Sequence, residues 1–311
     1  MTASPTLTRR ARPVPTPEPA RRARARPALS ERLNAAGYLF LAVGLVAVVL
    51  LVPFGVTVYR SVFSDGVHET FNGATNYEQI YRDPVLGRAL LNTLFWVVGS
   101  LVLPVGIGLL VAVMTNSLPW GRWARLAVVL PYAISGAAVA VVGSFMLQTE
   151  GALNDALRAI GLGSARQEWL LQWPQNTISA ILLSTWQSTG VAVVLFMVGL
   201  QTIPPETVEA AALDGADGWS RFRHVLFPQL RPVTAVVIGI TLTNALRAFD
   251  VIWVLTQGGP NRTSETLALS MYRETFLLQN AGQGSAIAVV LTVIVVAASW
   301  IYLRPQLRSA P

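Results

Sequence analysis

Six apolar runs, each about as long as a bilayer is thick, constrain this chain more than any other feature. They fall near residues 35–59, 89–115, 126–147, 177–200, 233–255 and 284–303. About 20 residues of helix cross the hydrocarbon core. Backbone polar groups in lipid must pair within their own segment, which makes each run a helix. The expected fold class is therefore an all-α integral membrane protein with six transmembrane helices. Pro53, Pro104 and Pro131 lie inside or near these runs and predict kinks. Only 13% of the residues are charged, roughly half the usual share of a soluble domain.

Arginine orients the bundle. With a cytoplasmic N-terminus, the inner segments carry 15 arginines and the outer ones 7. This bias places both termini inside. The 1–33 segment supplies eight of the 15, in a Pro-, Ala- and Arg-rich stretch. It reads as a disordered basic cytoplasmic tail, too poor in apolar residues to form a core. The run after it is too long for a signal-peptide core. Residues 34–311 form the transmembrane domain, with a cytoplasmic loop at 201–231.

Several chemistries are excluded by residue type. All 23 basic residues are arginine, so a P-loop, whose lysine reaches the phosphates, is absent. There is no cysteine, and the two histidines, His68 and His224, are far apart. No metal site is expected, and no nucleic-acid partner.

The loop between the fourth and fifth runs carries the most information. Pro205 suits a first helical position, and Glu206 and Glu209 lie near the positive end of the helix dipole. Gly215 supplies a left-handed stop after Asp214. Ala210, Ala211 and Ala212 give this short helix a low-relief surface. A second helix is expected from Asp217, with Trp219, Phe222 and Val225 on one face and Pro228 closing it. On residue chemistry alone, a docking helix and an ordinary amphipathic cytoplasmic loop fit equally well.

The segment Glu209-Ala210-Ala211, followed by Gly215, Val225, Phe227 and Pro228, resembles the EAA loop of ABC importer permeases. The usual pattern has isoleucine and leucine where Val225 and Phe227 stand, and both changes remain apolar. Leu200 to Pro204, Phe249 to Pro260 and Met271 to Phe276 resemble the carbohydrate-uptake branch, the maltose and glycerol-3-phosphate type, and in particular its first permease subunit. Asn92-Thr93, Leu130-Pro131, Gly151 to Asn154 and Gly161 to Gly163 agree with it. The resemblance covers roughly 35–305. It implies a type I importer subunit in a bacterial cell membrane, working with a pair of ATPase subunits, a second homologous permease and an extracytoplasmic solute-binding protein. ATP and Mg would be bound by the ATPase partner, and this chain would hold no cofactor. Glu206, Glu209, Ala210, Ala211, Asp214 and Gly215 would form the coupling helix seated in the ATPase.

The fifth run contains Arg247 and Asp250, three residues apart on one expected helical face. Ionisable groups in a membrane are costly and pair where they can. With Asn244 one turn before and Trp253 one turn after, they make a polar stripe with an aromatic end. This stripe reads either as a lining of the translocation path, with Gln187 of the fourth run, or as a self-neutralised structural pair. The outer loop contains Leu153, Leu157 and Ile160 as one amphipathic helix, and Trp169 and Trp173 read as an interfacial belt or as loop packing. Two other readings of the whole chain stay open at this stage. One is an ion-gradient-driven secondary transporter. The other is an ABC importer for a non-sugar solute such as glycerol 3-phosphate.

Overall fold

The computed structural model describes residues 29–64, 70–116, 118–246 and 248–309. The basic tail through residue 28, His68 and Arg247 lie outside the described residues. The chain divides into two units, 1–52 and 53–311. Helix α1, Leu29–Arg60, crosses that division, and its Gly37–Arg60 stretch is long and apolar enough to span a membrane.

A two-residue hairpin follows, β1 (Phe63–Ser64) antiparallel to β2 (Thr70–Phe71), with Phe63 opposite Phe71. Helices α2 (Thr75–Arg82) and α3 (Pro84–Asn116) come next. They are followed by α4 (Gly121–Val129), α5 (Gly136–Met146), α6 (Ala152–Ala159) and α7 (Gln175–Gln201). The loop helices α8 (Pro205–Leu213) and α9 (Gly218–Arg221) lead into α10 (Phe227–Leu246). The chain ends with α11 (Asp250–Thr256), α12 (Leu267–Tyr272) and α13 (Ala281–Ser309). Among the described residues, five helices can cross a bilayer, or six if the bent pair α4–α5 counts as one span.

Helix α3 is the axis of the second unit. Leu86 and Ala89 near its start pack with Ile80, Leu267, Ala286 and Ile287. Trp96, further along, joins Ala180, Ile181, Ile252 and Leu255. Ala112 near its end meets Ala192, Phe196, Leu200, Leu230 and Val237. Small residues bring the backbones close, as in other membrane bundles. A Cβ placed on Gly108 would stand 2.5 Å from that of Ala192. Leu94, Val98, Val102 and Leu110 of α3 are exposed. In lipid such a surface is solvated without the penalty it would carry in water.

Four expected elements differ. The run at 126–147 is not one helix. It stops at a short 3₁₀ turn, Leu130–Ala133, and restarts at α5 with a bend of 100°. Pro131 sits in that turn, and Ser135 caps α5 by accepting the Ala138 amide at 3.2 Å. A proline and a capping serine together turn a kink into a corner. The fifth run does not reach 255. Its helix ends at Leu246, and α11 begins anew at Asp250.

Pro228 does not close a helix. The chain is helical from Gly218 to Leu246, with a wider π turn over Phe222–Leu226 just before the proline. The Phe227 amide reaches back to the Phe222 carbonyl. The wider turn makes room for a proline ring that would crowd a regular α turn. In the outer loop, α6 stops at Ala159, and Ile160 is 70% exposed rather than on the packed face.

Candidate coupling loop and translocation cavity

Helix α8 is built to stand out. Pro205 takes its first position, and Glu206 lies in its first turn. Its far end is stopped by two hydrogen bonds, Ala216 N–H to Ala211 O at 2.9 Å and Gly215 N–H to Ala212 O at 3.1 Å. This double closure needs a left-handed residue, and Gly215 supplies it with φ of 79°. Ala211 is the buried anchor of the helix. Glu206, Glu209, Ala210, Asp214 and Gly215 are exposed. Leu213 is 90% exposed, an unusual position for a leucine with nothing beside it. Asp217 then caps α9 by accepting the Ser220 amide at 2.8 Å. The Trp219 and Phe222 rings lie 5.5 Å apart at a tilt of 32° and form an apolar groove with Leu109, Leu110 and Val113 of α3.

The α4–α5 corner and the α10–α11 break face a common cavity of about 310 Å³. Helix α3 contributes Trp96 and Ser100, α7 contributes Ser184 and Ser188, and the corner contributes Tyr132. Asn244 lies at the end of α10 and Asp250 at the start of α11, and both line the cavity. Among the described residues, neither side chain has a protein partner. The Ser188 and Thr241 hydroxyls donate to carbonyls of their own helices, at 2.8 and 2.9 Å from Ser184 O and Val237 O. Trp96 is 2% exposed, and its indole N–H has no acceptor.

The expected stripe is therefore interrupted. Asn244 and Asp250 come together around a break, not along one helix face. Trp253 is turned away from the cavity. It stacks on Phe249 at 5.9 Å and meets Tyr272 edge-on at 5.4 Å. Gln187 is not part of the cavity lining; its amide donates to Ile134 O at 2.5 Å and holds the corner. Arg247 lies outside the described residues. Trp96, Ser100 and Tyr132 escaped the sequence reading, because they are separate residues in runs that read as uniformly apolar.

A buried polar clamp sits at the opposite end of α3 from the α8 loop. Asn92 is fully buried and uses its whole amide. Its nitrogen donates to Thr263 O at 2.8 Å and Glu265 O at 2.7 Å. Its oxygen accepts from Trp173 Nε1 at 2.9 Å and Thr177 Oγ1 at 3.2 Å. Glu265, also fully buried, is held by Arg262 at 3.0 Å, Arg273 at 2.5 Å and Ser270 Oγ at 2.8 Å. Arg262 also reaches Glu274 at 3.0 Å. Burial lowers the pKa of the Arg262 guanidinium, but the hydrogen bonds and charges of Glu265 and Glu274 outweigh it, and the net shift is upward. A raised cation pKa gives stability that is present below the unfolded value and lost as pH rises through the folded one. Arg262 therefore adds no pH dependence to the clamp across the neutral range. Trp169 likewise donates to Asn154 at 2.9 Å, so both loop tryptophans are tied into packing.

The chain is similar in sequence and in fold to known proteins. Residues 104–304 match the family model described as the binding-protein-dependent transport system inner membrane component. The chain is 36% identical over 275 residues to the probable ABC transporter permease protein YurN of Bacillus subtilis, covering 86% of this chain and 94% of that one. It is 31% identical over 267 residues to the alpha-glucoside transport system permease protein AglF of Rhizobium meliloti, covering 83% and 79%. A crystal structure of a bacterial ABC transporter that imports alginate contains a chain with the same fold. The TM-score is 0.73 at 24% identity, covering 88% of this chain and 96% of that one. This protein belongs to the family of binding-protein-dependent inner membrane components, the multi-pass permease subunits of ABC transporters.

Proposed function

We propose that this permease forms half of the path of an ATP-driven sugar importer and takes its motion from a separate ATPase through α8. The observation that carries this reading is the exposed, doubly closed α8 helix, whose anchor is a single buried alanine. A helix of 9 residues fixed at its end moves as a rigid unit, which is what force transmission needs. Glu206, Glu209, Ala210, Asp214 and Gly215 would meet the ATPase, with Ala211 fixing the helix to the bundle. A pair of such subunits binds ATP and Mg and performs hydrolysis. A second, homologous permease completes the pore, and an extracytoplasmic binding protein delivers the solute. The arginine bias supports a cytoplasmic face for α8 and for both termini.

The sugar assignment draws on the cavity and on relatives such as AglF. Trp96 and Tyr132 offer aromatic surface, and Asn244, Asp250, Ser100 and the free Trp96 N–H offer hydrogen bonds. A sugar ring, with apolar faces and many hydroxyls, uses both. Asn244→Ala and Trp96→Phe each remove one neutral hydrogen bond, worth about 1 kcal/mol, or roughly fivefold in affinity. Uptake of labelled sugar by cells carrying the whole transporter should show KM raised by about that factor, with maximal rate retained. Unchanged KM in both variants would remove the cavity from the path.

A further inference from the structure

The apolar groove between α3 and the start of the α9–α10 helix has a volume of about 350 Å³. Its wall on α3, Leu109 to Val113, lies three to seven residues before the last residue of that helix, Asn116. At 1.5 Å per residue this is about 5–10 Å inside the helix end. Just past that end, Trp120 and Trp123 are more than half exposed, and so is Trp219 on the other wall. Exposed tryptophans at one end of a membrane bundle mark the level of the lipid headgroups. The groove therefore lies at the depth where acyl chains begin. Leu110 is 57% exposed and Trp219 68%, so among the described residues no helix of this chain fills it. Arg221 and Arg223 flank Phe222. At 3.6 residues per turn they stand on either side of the face that carries Trp219 and Phe222. Among the described residues, neither guanidinium has an acidic partner.

We propose that this groove binds an anionic phospholipid of the inner leaflet, with one acyl chain along Leu110, Val113 and Trp219 and the headgroup between Arg221 and Arg223. The two parts of the site select the two parts of the ligand. Aliphatic and aromatic walls take a hydrocarbon chain. Unpaired guanidiniums at headgroup level take a phosphate, which they meet with planar N–H donors. A zwitterionic lipid carries its own cation, which repels the arginines and cancels their advantage. Each arginine near an anionic lipid surface adds about fivefold to binding. The inference rests on the proposed function only for naming the leaflet.

The test uses the transporter purified through a tag on this chain, with the subunits that accompany it, in nanodiscs of phosphatidylcholine. A trace of phosphatidylglycerol or of phosphatidylcholine, each with a diazirine on one acyl chain, is photoactivated. Peptide mass spectrometry then maps the adducts. The phosphatidylglycerol probe should label the 106–113 and 218–222 segments about tenfold more than the phosphatidylcholine probe, and unlabelled phosphatidylglycerol should compete. Arg221→Gln with Arg223→Gln should bring the two probes to equal yield. Arg223→Gln alone, at an exposed position, should lower the preference about fivefold, and it keeps the test open if the double variant folds poorly. Leu110→Trp should fill the groove and cut labelling by both probes. Equal labelling by the two probes in the wild type, or a preference unchanged in both arginine variants, overturns the proposal. So does the absence of adducts at these segments, the result expected if a protein subunit covers the groove. Both leaflets of the nanodisc carry the same lipids, so the result does not depend on which side α8 faces. Failure here is thereby distinguished from failure of the proposed function.

Discussion

Gly215→Val should abolish uptake while leaving the subunit in the membrane at normal abundance. Gly215 holds φ of 79° and closes α8 through two backbone hydrogen bonds. A side chain in the left-handed region costs roughly 1–2 kcal/mol, and β-branching sharpens the clash. That cost is too small to unfold a bundle of this size. It is large enough to unwind one turn at the end of a short exposed helix, so Asp214 and Ala216 lose their places. Glu209→Lys reaches the same outcome by another route. It reverses an exposed charge where a basic partner surface is expected and leaves α8 itself folded. Transport in cells with the complete system, together with a membrane immunoblot, checks both. Normal uptake in both variants would remove α8 from the coupling step.

Glu265→Ala should have the largest effect on stability. It leaves Arg262 and Arg273, each about one quarter exposed, facing each other without their shared carboxylate. Removing one member of a buried ion cluster costs roughly 3–5 kcal/mol, and the partial exposure of both arginines favours the lower figure. Asn92→Leu acts on the same clamp from α3. It strands the Thr263 and Glu265 carbonyls and the Trp173 N–H, at about 1–3 kcal/mol for each buried group left unmet. Both variants should lower the thermal midpoint of the detergent-solubilised protein by several degrees and reduce its yield. A midpoint equal to that of the wild type in both would show that the clamp does not hold the 257–275 segment in place.

Much of the framework could be read before any coordinates, because a bilayer demands long apolar helices and marks their ends with arginine. The α8 helix was legible for a local reason. Pro205, Ala211 and Gly215 each act within a few residues of themselves, and sequence records local acts well. The breaks at residues 134–135 and 248–249 were not legible. A run such as 233–255 is apolar on both sides of its break, and hydropathy cannot register a change of direction. Pro228 misled for the opposite reason, since the π turn before it absorbs the ring and the helix runs on.

The clamp was hidden for a third reason. Asn92 meets Thr263, Glu265 and Trp173, partners 81 to 173 positions away in the chain. No spacing rule within one element reaches that far. The same holds for the cavity, where single polar residues from α3, α7, α10 and α11 converge. The buried donor without an acceptor there, Trp96 Nε1, is visible only once its surroundings are known.

Helix α8 is expected to seat in an ATPase on the cytoplasmic side and to move with nucleotide. The natural absence of cysteine makes the measurement clean, because Ala210→Cys introduces a single thiol on an exposed position. A maleimide–diazirine reagent attached to that thiol and photoactivated should join it to the ATPase subunit in inside-out vesicles, and the yield should change when ATP is trapped in the closed dimer. Labelling of Ala210→Cys by an impermeant maleimide from the outer side of intact cells, or a cross-link to the ATPase that never forms, would contradict the account.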